Sequence, residues 1–68
     1  MHNDITKLRG ERGITQVDLA LALRVSRQTI SAIENGRYNP SLDLAFVIAD
    51  FFGRPIEQIF FPSRQEQP

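Results

Sequence analysis

Helix-capping residues and glycines recur along this chain at short intervals, and that spacing limits the fold more than any other feature. Thr15, Ser26 and Ser41 each precede a stretch that reads as helix, while Gly13, Gly36 and Gly53 stand where a helix end takes a left-handed residue. No piece between them shows the alternation of apolar and polar residues that a half-buried strand needs. The chain therefore reads as all helix. With 68 residues, 41% of them apolar, it is small enough to be marginal unless its helices pack well or a partner buries more surface.

Asn3 or Asp4 can cap a first helix running to about Arg12, with Ile5 and Leu8 turned inward. Thr15 caps a second helix over Gln16–Leu23, and Asp18, three residues on, can reach back in a weak capping box. Arg24 and Val25 make a very short connection to Ser26, which caps a third helix over about Arg27–Asn35, closed by Gly36. Two helices joined so tightly must cross steeply. Ser41 caps a fourth helix to about Phe52, and Pro55 suits the start of a short fifth helix through Ile56, Ile59 and Phe60. Residues 1–61 thus form one expected domain, with a short polar tail over 62–68 and a terminus expected to fray around His2.

Composition excludes several function classes. The chain has no cysteine and a single histidine, so disulfide staples and a metal site are not expected, and no cofactor is called for. No motif pairs a nucleophile with a base, and so short a chain has no room for a deep cleft, so an enzyme is not expected. The longest apolar run, Leu44 to Ala49, has six residues, against the roughly 18 of a membrane span. With no signal-peptide pattern at its start, the expected location is cytoplasmic, with no membrane partner.

The third helix carries the chemistry. On a helical wheel Ile30 and Ile33 define its inward side, and the opposite side collects Arg27, Ser31, Asn35, Gln28 and Ala32. That strip is polar, small and nearly free of acid. A B-DNA major groove admits one α-helix; Arg and Gln at its leading end can bond bidentately to base edges, and small residues farther back permit close approach. Periodicity alone favours an ordinary solvated face over a groove-reading one.

The stretch Ile14-Thr15-Gln16, Leu19-Ala20, Val25-Ser26-Arg27-Gln28-Thr29-Ile30-Ser31, Ile33-Glu34-Asn35-Gly36 and Asn39-Pro40-Ser41 resembles the Cro/C1-type, or XRE, helix-turn-helix family. The similarity runs from about Ile5 to Phe60. It implies an all-α, five-helix bundle of the lambda-repressor-like type, in which helices 2 and 3 form the helix-turn-helix and helix 3 enters the major groove of double-stranded DNA. The five helices inferred from caps and breakers fall in the same places. One departure is Arg24, where members usually carry glycine in the left-handed position of the turn.

The resemblance makes Arg27 and Gln28 the expected base contacts, with guanine and adenine as their commonest partners, and Ser31 and Ala32 shape the contact one turn on. Gln16 resembles the family's glutamine that binds a phosphate and braces the next helix. Arg37, Tyr38 and Asn39 correspond to a loop that runs along the sugar-phosphate backbone, and Thr29 can reach a phosphate or simply pack. The family also sets an arginine of the first helix against an acid at the end of the third, here Arg9 and Glu34, a structural ion pair that orients the recognition helix.

Eight basic residues balance eight acidic ones, but unevenly along the chain. Residues 1–37 hold six basic against four acidic groups, and 38–68 hold two against four, so positive charge gathers where the DNA face is expected. The fourth helix is unusually apolar. Leu42, Leu44, Ala45, Phe46, Ile48, Ala49 and Phe52 sweep an arc that can meet the core, leaving Val47 and Phe51, with Phe61 beyond, as surface for a homodimer. Such a dimer sets two recognition helices about one DNA turn, roughly 34 Å, apart on a palindrome. The expected function is a transcriptional regulator, most simply a repressor acting by steric exclusion, although activation needs only a surface patch. The alternative is an antitoxin or other protein-interaction module of the same fold, in which a protein partner binds and DNA is secondary.

Overall fold

The computed structural model describes residues 1–62; the expected tail beyond Pro62 lies outside the described residues. Four α-helices follow in order: α1 (Ile5–Arg12), α2 (Gln16–Leu23), α3 (Arg27–Glu34) and α4 (Leu42–Phe52). Their caps match the sequence. Thr15 and Asp18 form a full reciprocal box, Thr15 N–H donating to Asp18 Oδ2 at 2.9 Å and Asp18 N–H to Thr15 Oγ1 at 3.0 Å. Ser26 accepts from Thr29 N and Ser41 from Leu44 N, each at 3.1 Å. Asp4 holds the capping position of α1 without a side-chain bond to the helix, and Asn3 does that work, its Oδ1 accepting from Ile5 N at 3.1 Å.

The fifth helix does not form as expected. Pro55 leads into a single 3-10 turn, Ile56–Gln58, after which Phe60–Phe61 extends as a strand, β2, that pairs antiparallel with β1, His2–Asn3. Asp4 N–H donates to Ile59 O at 2.9 Å beside this ladder. The sequence here has too few residues for a helix to repay its nucleation, and two aromatic residues favour extended backbone. His2, expected to fray, is one half of the ladder. A strand of two residues has no period, which is why alternation did not announce it.

The core is continuous. Ile5, Leu19, Ile30, Ile33, Ile48 and Ile59 are fully buried, and Leu8, Leu23, Phe52 and Phe60 pack around them. No helix among the described residues is long and apolar enough to cross a membrane.

All four helices end the same way, through a left-handed residue whose amide and the next one bond back to carbonyls of the last turn. Gly13, Gly36 and Gly53 fill that position with φ of 67°, 74° and 66°. Arg24 fills it after α2 with φ 60°, its N–H reaching Leu21 O at 3.3 Å and Val25 N–H reaching Ala20 O at 3.0 Å. A side chain held there costs about 1 kcal/mol relative to glycine. Arg24→Gly is therefore expected to stabilise the protein by about that amount, raising the melting temperature by roughly 4–8 °C in a domain of this size. Thermal unfolding followed by circular dichroism checks this, and no rise would mean that the arginine is unstrained.

Candidate nucleic-acid interface

Helix α3 is anchored by Ile30 and Ile33, which are 0% and 1% exposed, so its opposite flank faces outward. Arg27, Gln28, Ser31, Ala32, Asn35 and Arg37 together line a shallow depression of about 230 Å³ on that flank. The four residues expected to touch bases lie in one place. Arg27 and Gln28 are exposed at the leading end, while Ser31 and Ala32 are half-buried behind them. Asn35, absent from the expected contacts although it lies on the same strip, joins them.

The residues expected to meet phosphate fall into two groups. Arg37, Tyr38 and Asn39 are exposed in the loop after α3. Thr29 and Gln16 are partly buried and engaged within the protein. The Thr29 hydroxyl lies 2.9 Å from Ser26 Oγ and so belongs to the cap of α3. Gln16 Nε2 donates to Glu34 Oε1 at 2.9 Å, and its Oε1 accepts from Arg27 Nη1 at 3.3 Å. The Gln16 side chain thus ties α2 to both ends of α3.

Arg9 and Glu34 meet. Arg9 Nε donates to Glu34 Oε2 at 2.7 Å and Nη2 to Oε1 at 3.1 Å, a two-point bond with side chains 16% and 5% exposed. Arg9 Nη1 also reaches Ile14 O at 3.1 Å, fixing the turn before α2. Thr6 Oγ1 adds a bond to Glu34 Oε1 at 2.9 Å, a contact for which the sequence carries no signal beyond one helical turn between Thr6 and Arg9. Asn3 Nδ2 donates to Ile33 O at 2.8 Å, joining the N-terminal segment to the end of α3.

Burial works to raise the Glu34 pKa, but hydrogen bonds from Arg9, Gln16 and Thr6 and the Arg9 charge outweigh it, holding the carboxyl below its ordinary value of 4.5. The bond to Glu34 likewise raises the Arg9 pKa against the opposing effect of burial. Asp18 is also held low, first by the Thr15 amide and then by the Thr15 side chain.

The apolar surface of α4 differs from the expectation. Its core side is Ala45, Ile48, Ala49 and Phe52, whereas Leu42 and Phe46, expected to meet the core, are 67% and 58% exposed. The core takes a narrower stripe than the sequence offers. Val47 and Phe61 are exposed as expected, but Phe51 is half-buried, its ring 5.2 Å beneath the Arg12 guanidinium, which also donates to Phe51 O at 2.9 Å. Phe46 instead lines an open groove with Ala49, Pro55 and Ile56, rimmed by Asp50, Arg54 and Glu57.

A helix-turn-helix family model matches residues 5–59. The chain is 58% identical over 60 residues to an uncharacterized HTH-type transcriptional regulator of Methanocaldococcus jannaschii, covering 88% of this chain and 91% of that protein. It is 41% identical over 61 residues to another such regulator from Bacillus subtilis, covering 90% and 92%. An immunity repressor protein of Bacillus phage phi105 is 40% identical over 55 residues, covering 81% of this chain and 38% of the repressor.

The ion pair yields two expected outcomes. Arg9→Ala and Glu34→Ala should each cost about 3 kcal/mol by stranding the other charge, read by thermal or urea unfolding; wild-type stability in both would dispose of the pairing. Because the native pKa of Glu34 is depressed, its contribution is present above its ordinary value of 4.5 and is lost as pH falls through the native value. The stability gap between wild type and Glu34→Gln should accordingly narrow below about pH 4.5. A gap independent of pH would show that Glu34 titrates alike in the folded and unfolded chain.

Proposed function

Since the chain belongs to the Cro/C1-type helix-turn-helix family of transcriptional regulators, we propose that it reads a specific DNA sequence with α3 in the major groove and represses transcription by occupying a promoter. The observation that carries this reading is the shared outward depression of Arg27, Gln28, Ser31 and Ala32. It offers hydrogen-bonding groups at the leading end of a helix and small residues behind, the combination that a major groove accepts. Arg27 reads guanine and Gln28 adenine. Gln16, Arg37, Tyr38 and Asn39 bind the sugar-phosphate backbone and set the register of the helix. The Thr29 hydroxyl serves the cap of α3. The name of the phage relative, an immunity repressor, supports repression over activation.

In this reading two copies bind a palindromic site. The apolar exposure of Leu42, Phe46 and Val47 on α4 supports a second copy as the partner of this face. The rim of the Phe46 groove carries both signs, Arg54 beside Asp50 and Glu57, so that two copies can pair Arg54 of each with an acid of the other. Phe61, exposed on β2, is assigned to the same contact, and Phe51, half-buried under Arg12, contributes less to it.

Site selection from random duplex DNA tests the reading. Arg27→Ala should lose preference at one base pair by about 1–3 kcal/mol, while Arg37→Ala should weaken all sites alike and reduce the salt slope by about one. Equal binding to every sequence by the wild-type protein would refute specific recognition. For the dimer, sedimentation of the protein with its selected duplex should give two chains per palindrome, and at the same concentration Phe46→Glu should bind as single chains, one per duplex, and more weakly. Unaltered assembly in that variant would move the contact off α4.

A further inference from the structure

Gln16 stands between an acceptor and a donor, and that decides which way its amide faces. An ionised carboxylate only accepts and a guanidinium only donates. With Glu34 on one side and Arg27 on the other, Gln16 must turn Nε2 to Glu34 Oε1, 2.9 Å away, and Oε1 to Arg27 Nη1, 3.3 Å away. The same Glu34 oxygen accepts from the Thr6 hydroxyl at 2.9 Å and from Arg9 Nη2 at 3.1 Å. The Glu34 side chain is 5% exposed, so water competes poorly for these bonds. A continuous polar chain runs from α1, through the end of α3 and the start of α2, to the exposed head of α3.

We propose that Thr6, Arg9, Glu34 and Gln16 form a positioning relay that orients the Arg27 guanidinium, so that residues of α1 help set discrimination at the base pair Arg27 reads. The inference rests on the base-reading role given to Arg27 above. A guanidinium with one N–H held by Gln16 presents its remaining donors in one direction. Released, it samples several rotamers and can satisfy itself on phosphate as easily as on a base edge. Attraction to phosphate depends on charge and little on orientation, whereas base discrimination depends on both. Breaking the relay therefore lowers specificity at one position more than it lowers overall binding. Gln16 keeps a second amide hydrogen for phosphate, so its two tasks do not compete. Thr6, Arg9 and Glu34 are positioning residues, since they act on DNA through Gln16 and through the seating of α3.

Selection from random duplexes, run with the intact protein and its variants, tests this. Arg27→Ala first identifies the base pair concerned, as the position where preference vanishes. Thr6→Val should lose discrimination at that position by roughly threefold to tenfold and retain wild-type preference elsewhere, while Gln16→Ala should lose it there too, on top of the general weakening that follows from a lost phosphate contact. Thr6→Ser, which keeps the hydroxyl, should behave as wild type. Thr6 is exposed, so its variants are expected to fold. Full discrimination at that position in both Thr6→Val and Gln16→Ala would overturn the relay while leaving Arg27 as a base reader. In Thr6→Val a loss spread evenly over all positions would also overturn it, since that is the mark of general weakening. If the wild-type protein enriches no sequence, the base-reading role fails and the relay fails with it.

Discussion

A carboxylate removed from water must find donors or give up its charge, and Glu34 finds four hydrogen bonds, two from Arg9 and one each from Thr6 and Gln16. Those donors come from α1 and α2, while Glu34 itself ends α3. One side chain thus joins three helices at the end of α3. Apolar packing of Ile30 and Ile33 decides which flank of α3 is inward, but a greasy contact tolerates rotation and sliding. A two-point guanidinium–carboxylate bond does not, because both distances must be kept. The orientation of the outward strip of α3 follows from the two together.

The helix ends do complementary work. Caps at Thr15, Ser26 and Ser41 start the helices, and left-handed residues at Gly13, Arg24, Gly36 and Gly53 stop them. Between α2 and α3 only three residues intervene, Arg24 to Ser26, so the stop of one helix and the start of the next nearly coincide. Placing an arginine in the left-handed position sacrifices some stability and adds a positive charge beside the helix that carries Arg27.

Much of this was legible in the sequence because capping is local chemistry. A serine or threonine before an apolar-periodic run, or a glycine after it, can be read without knowing the fold, and each of the four α-helices carries at least one of the two. The paired strands could not be read that way, since His2–Asn3 and Phe60–Phe61 gain their meaning only from each other across the length of the chain. The same holds for Thr6, whose hydroxyl meets Glu34 only once α1 and α3 are packed. Leu42 and Phe46 were misplaced for a different reason. Periodicity reports how wide an apolar arc is, not how much of it a small core can cover, and here the core stops at Ala45 and Ala49. The α3 strip was legible as a pattern of residue types, with the family resemblance adding the roles.

The proposed function requires that the outward flank of α3 meet DNA. Nuclear magnetic resonance of the labelled protein, titrated with its selected duplex, tests it most directly. Amide and side-chain signals of Arg27, Gln28, Ser31 and Ala32 should shift most, with Arg37 to Asn39 following, while the buried signals of Ile48 and Ile59 stay in place. Shifts confined to the Phe46 groove, with α3 unaffected, would contradict it.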